Sequence, residues 1–128
     1  MKKKALLILA GGLLLLGTSC YYDTLVAEEI PEIPDDQEIS FSEDIEPLFS
    51  QAGKDCTQCH NGSTSPDLRP GNAYDAIVPD LVVPGDAEGS VFYQRIPGKG
   101  HPFDVGFVLS TDEIALIKAW IDRGAEDN

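Results

Sequence analysis

The sequence predicts a small all-α domain of about four short helices joined by long loops. Three observations carry that expectation. Apolar residues recur at helical spacing over 114–121, and no stretch alternates convincingly at period two. The third is size: the 90 residues that follow residue 38 make a marginal core, so something besides apolar side chains is expected to fill it.

The elements follow in order. Ser42 stands at an N-cap position, and Glu43, Asp44 and Glu46 put negative charge in the first turn of a helix carrying Ile45, Leu48 and Phe49. Pro47 is comfortable only in a first turn, which moves the regular start toward Glu46. A loop rich in Ser, Pro and Gly runs to Gly71, and a short helix is expected over 72–77. Asp86 is the expected N-cap of a helix carrying Val91, Phe92, Arg95 and Ile96, which Pro97, Gly98 and Gly100 end. The last helix is the clearest. Ser110 and Glu113 form the S-x-x-E capping box, Leu109 and Ile114 hold the staple positions, and Gly124 supplies the stop after Ile117, Trp120 and Ile121.

The first 38 residues have a different character. Lys2, Lys3 and Lys4 precede a continuous apolar run from Ala5 to Leu16, and Gly17, Thr18 and Ser19 lead into Cys20. That is the pattern of an export signal over 1–19. The alternative, a spanning helix, needs about 20 apolar residues, more than this run offers. From Tyr21 to Glu38 there are seven acidic residues, no Lys or Arg, and two prolines, so 20–38 reads as an acidic tether that spans at most about 60 Å, ahead of a domain over 39–128. The alternative packs Ile30 and Ile33 onto the domain as a strand.

Charge narrows the partners. The chain has 9 Lys plus Arg against 22 Asp plus Glu, and loss of 1–19 would leave six cations and a formal charge of about −16. Nucleic acid is a poor partner for such a surface, and a protein with a basic docking patch a good one.

The chemistry is carried by Cys56, Cys59 and His60, which spell C-x-x-C-H, the attachment signature of c-type haem. Two thiols three positions apart on one turn can add to the two vinyl groups of a porphyrin, with the adjacent imidazole under the iron. Three other readings use the same residues. A Cys56–Cys59 disulfide leaves His60 unexplained, a thioredoxin-like pair wants a βαβ context, and zinc wants four ligands. Met1 is the only methionine and His60 and His101 the only histidines, so iron would draw its nitrogen ligands from these two.

Two resemblances build on these residues. L-G-T-S-C resembles a bacterial lipobox, with Gly17 in place of the usual Leu or Val, which implies that Cys20 carries a lipid and becomes the first mature residue. From Ile39 to Ala125 the chain resembles the small monohaem cytochrome c domains of bacterial envelope proteins, through D-I-E-P-L-F, C-T-Q-C-H, V-V-P-G-D-A-E-G-S-V-F-Y-Q-R-I and L-S-T-D-E-I-A-L-I-K-A-W-I-D-R-G-A. That resemblance implies a cytochrome c-like fold around one covalent haem c, with thioethers at Cys56 and Cys59 and His60 as proximal ligand. Relatives present a methionine before a proline on the distal side. Here His101 stands before Pro102, which implies bis-histidine ligation; the alternatives leave His101 on the surface or bonded to a propionate. Arg69 and Arg95 are candidate propionate partners, and Trp120 and Phe92 candidate porphyrin contacts.

The expected function is that of a lipid-anchored electron carrier in the bacterial cell envelope, on the periplasmic or outer-membrane side. It is an electron carrier and not an enzyme, and its partners are redox proteins. A haem sensor or a gas- or peroxide-binding domain with an open sixth position is the alternative. Tyr21 after Cys20, where aspartate would favour inner-membrane retention, leans toward the outer membrane. The lipid assignment is checked by phase partition in detergent. Wild-type protein enters the detergent phase with an acylated N-terminus, and Cys20→Ser stays aqueous or uncleaved; aqueous wild-type protein without acyl mass contradicts the anchor.

Overall fold

A computed structural model describes residues 29–128, and the expected signal over 1–19 and Cys20 lie outside the described residues. Pro47 shapes the first segment. It has no N–H to donate, so the chain does not form a regular α-helix here. A π-helical turn, Phe41–Ile45, gives way to a 3-10 turn, Glu46–Phe49. Its N-cap is Ser40, not the expected Ser42: the Ser40 hydroxyl accepts from Glu43 N–H, while Asp44 Oδ2 accepts from Ser40 N–H at 2.8 Å. Ser42 is engaged elsewhere, donating through both N–H and hydroxyl to the Asn128 carbonyl.

Next come β1 (Ser50–Gln51) and β2 (Lys54–Asp55), an antiparallel hairpin pairing Ser50 with Asp55 and Gln51 with Lys54. Gly53, at φ 83°, makes the tight two-residue connection possible. A 3-10 turn over Cys56–Gln58 follows, then α1 (Ala73–Ile77), α2 (Val91–Arg95) and α3 (Thr111–Asp122). These elements correct the expectation of an all-α, cytochrome c-like architecture. Only about 34% of the described residues are helical, they include a small two-stranded sheet, and long loops join the rest. The physical reason is local: four strand residues around a glycine turn are too few to show an alternating pattern, and α1 and α2 are only five residues each.

The helix expected from Asp86 also starts later. Asp86 closes a turn instead, its Oδ1 accepting from Gly89 N–H at 2.8 Å. Buried Ser90, the residue before α2, donates to the Asp86 carbonyl at 2.7 Å and accepts from Val83 N–H at 2.8 Å. In α3 the capping box of Ser110 and Glu113 is complete. Its C-terminal end closes in a Schellman pattern, with Gly124 N–H to Ile121 O at 3.0 Å and Ala125 N–H to Trp120 O at 2.9 Å.

One face of α3, with Ile114, Ile117, Trp120 and Ile121, meets Phe41, Ile45, Phe49, Ile77, Val82 and Tyr93 in a single core. At its C-terminal end Phe41 stacks edge-on with Tyr74 at 5.2 Å and lies 5.1 Å from Trp120. Phe92 meets Phe49 at 5.7 Å. Ile30 and Ile33 pack against the core from outside, without forming a strand. No helix among the described residues is long and apolar enough to cross a membrane. Urea unfolding checks this account. Ser110→Ala lowers stability by about 1 kcal/mol through the lost cap, and Trp120→Ala by about 3–5 kcal/mol through the cavity it leaves.

Candidate functional site

The turn over residues 55–60 is wound by its own hydrogen bonds. Asp55 caps it, accepting from Thr57 N–H at 2.9 Å and from the Thr57 hydroxyl at 2.6 Å. Cys59 N–H and His60 N–H both donate to the Cys56 carbonyl, at 3.2 and 2.8 Å. Cys56, Cys59 and His60 therefore share one turn, with Cys56 half-buried and Cys59 exposed. Burial pushes the Cys56 thiol up to about 11, and the Asp55 charge adds to it.

His60 is held from behind: Leu68 N–H donates to its carbonyl at 3.0 Å, closing the 61–67 loop. Its Nδ1 is buried without a hydrogen-bond partner, one of two such side-chain atoms among the described residues, the other being the Tyr93 hydroxyl. An unpaired buried nitrogen costs about 1–3 kcal/mol, the same order as for the Tyr93 hydroxyl.

His101 arrives from 41 positions away. Its ring centre lies 6.4 Å from that of His60, with the two planes 85° apart. Imidazoles that hold one metal ion from opposite sides, at metal–nitrogen distances of about 2 Å, have ring centres about 6 Å apart. The His101 ring is also oriented, because Nδ1 pairs with the Phe103 carbonyl at 2.8 Å. An N–H donated there leaves Nε2 as the free lone pair, the arrangement metal-bound histidines use. No residue type signals this carbonyl, since any residue at 103 supplies one.

Two contacts place this pair. Gly98, at φ 100°, packs so close that a side-chain carbon would meet Ile114 Cδ1 and the Leu109 carbonyl at 3.3 Å. With Leu109 N–H donating to Pro97 O at 3.1 Å, this seats the His101 loop on the N-terminal end of α3. Lys54, at the start of β2 and two residues before Cys56, reaches the same end, its Nζ 2.7 Å from Glu113 Oε2. Beyond His101 the loop leaves Phe103 and Val108 exposed along a groove of about 340 Å³ also lined by Val105 and Phe107.

The other expected residues fall away from the pair or find partners. Arg69 is held by Asp67 in a two-point contact at 2.6 and 2.9 Å, which keeps the Asp67 carboxyl at about 2. Arg95 makes no ion pair among the described residues. Trp120 packs in the aromatic cluster at the far end of α3. Cys20 lies outside the described residues. Comparison with protein-family models, with curated proteins and with solved structures finds no match.

Glu113 has a measurable signature. Burial raises its carboxyl, but hydrogen bonds from Lys54, Ser110 N–H and Gln51 outweigh burial and hold it at about 2. A folded pKa below the ordinary 4.5 stabilises the fold above that pH, and the stabilisation fades as the pH falls from about 4.5 toward 2. Unfolding measured from pH 6 to pH 2 therefore loses about 1–2 kcal/mol less in Glu113→Gln than in wild type, after solvent screening at partly exposed Lys54. Identical pH profiles contradict the pairing.

Proposed function

We propose that this chain is a lipid-anchored monohaem c-type cytochrome that carries single electrons in the cell envelope. The observation that supports it best is the approach of His101 to His60 beside the C-x-x-C-H turn, at a separation suited to one shared metal ion. The donor set fits a covalent haem on three counts. The thiols share one turn, the His101 ring is oriented by Phe103, and exposed apolar side chains border the groove. In this proposal Cys56 and Cys59 would hold the haem through thioether bonds, and His60 and His101 would be its iron ligands.

A haem bound there supplies a one-electron iron couple. The protein's own part is ligation, burial and docking. His60 stands on a turn whose backbone is held at both ends, by Asp55 and by Leu68 N–H. His101 replaces a thioether sulfur with imidazole, which favours the oxidised ion relative to methionine-ligated relatives. The acidic surface steers a partner with a basic patch.

The test is spectroscopic and chemical. Protein made in a host with cytochrome c maturation machinery carries one covalent haem by mass, and loss of either Cys56 or Cys59 leaves a single thioether. The reduced wild-type protein binds carbon monoxide slowly or not at all, and His101→Ala binds it rapidly. His101→Met raises the potential. A bare-chain mass overturns the cytochrome reading. Rapid carbon monoxide binding by wild type, unchanged in His101→Ala, transfers the assignment to a sensor or gas-binding domain with an open sixth position.

A further inference from the structure

Arg123, the residue that closes α3, is spent on backbone. Nη1 donates to the Gln37 carbonyl at 2.6 Å, and Nη2 to the carbonyls of Ile33 and Pro34 at 3.0 and 2.9 Å. In a chain with 22 acidic residues a guanidinium has many carboxylates to choose from, yet the nearest, Asp35, is 4.0 Å away and fully exposed. The three carbonyls converge because Gln37 N–H closes a turn onto Pro34 O at 3.0 Å, and the planar fork of arginine matches such a cluster. Ile30 and Ile33 press onto the core on the same stretch. Beyond it, Asn128 ties down the following residues. Its side-chain carbonyl accepts from Phe41 N–H at 2.8 Å, its amide donates to Ile39 O at 3.3 Å, and its backbone carbonyl accepts from the Ser40 and Ser42 hydroxyls.

These contacts lie at the C-terminal end of α3. The contacts that place His60 and His101 lie at its other end: Glu113 with Lys54, and Ile114 and Leu109 with Gly98. Ten residues of helix separate Glu113 from Arg123, about 15 Å along the axis. We infer that residues 30–38 are a strap, clamped by Arg123, that makes this end of α3 the pole from which the domain hangs and presents the imidazole pair at the opposite pole. The inference rests on the proposed anchor at Cys20 and the proposed haem. It deepens them by naming a geometry: the redox partner meets the domain from the aqueous side, away from the lipid. It also shortens the reach, since Cys20 and Ile30 are separated by at most about 35 Å of chain, against about 60 Å for a tether free to residue 38.

The test uses full-length lipidated holoprotein in vesicles whose headgroups carry a fluorophore that haem quenches, together with a protease that cuts after acidic residues. Glu32, Asp35, Asp36 and Glu38 are its targets in the strap. Arg123→Ala accelerates cleavage there at least about tenfold, Arg123→Lys by less, and headgroup quenching rises in Arg123→Ala as the haem pole gains access to the surface. Equal cleavage of wild type and Arg123→Ala overturns the strap, and equal quenching overturns the orientation. Should Arg123→Ala lower the melting temperature of the whole domain, Arg123→Lys and Ile33→Ala carry the same comparison. Acyl mass and haem absorbance are read on the same samples. If either is missing, the proposed function fails while the protease result still decides the strap.

Discussion

The Glu113 carboxylate is the tie on which the candidate site depends. One oxygen, Oε2, accepts from Ser110 N–H and from Lys54 Nζ, both at 2.7 Å. It thereby starts α3 and holds the hairpin that leads directly into Cys56. The next residue, Ile114, packs against Gly98 and so seats the loop that carries His101. Two segments 41 positions apart in sequence, each carrying one of the chain's two histidines, are brought together at the N-terminal end of one helix. A cap that usually serves a helix alone is here also a junction.

What could be read in the sequence was what a few adjacent residues determine. The capping box of α3 and its glycine stop need only Ser110, Glu113 and Gly124, and the structure has them in those roles. The single turn holding Cys56, Cys59 and His60 is local too. Where several short-range options competed, distant residues chose. Ser42 is the cap expected from sequence; both serine hydroxyls donate to the distant Asn128 carbonyl, Ser42 N–H donates there as well, and Ser40 is the one that accepts from Glu43 N–H. Asp86 suits an N-cap or a turn, and buried Ser90 settles it as a turn. The all-α expectation failed for the same reason. A four-residue hairpin carries almost no pattern, and the Lys54–Glu113 ion pair that ties it to α3 joins residues 59 positions apart.

The acidic segment shows the limit of composition. Seven acidic residues and two prolines over 21–38 argue for a free tether, and for most of those side chains exposure agrees. Backbone carbonyls carry no sequence signature, however, and the contacts that hold 33–37 are made to carbonyls by one arginine more than 80 positions away. Two isoleucines were the only visible hint. The same blindness hid the Phe103 carbonyl that orients His101.

The central claim is that His60 and His101 share one iron. Electron paramagnetic resonance of the oxidised, matured protein tests it most directly, because the signal reports the spin state that two imidazole ligands would impose. Two histidine ligands predict a low-spin signal, lost in His101→Ala. A high-spin signal in the wild type, unmoved by His101→Ala, would contradict the claim.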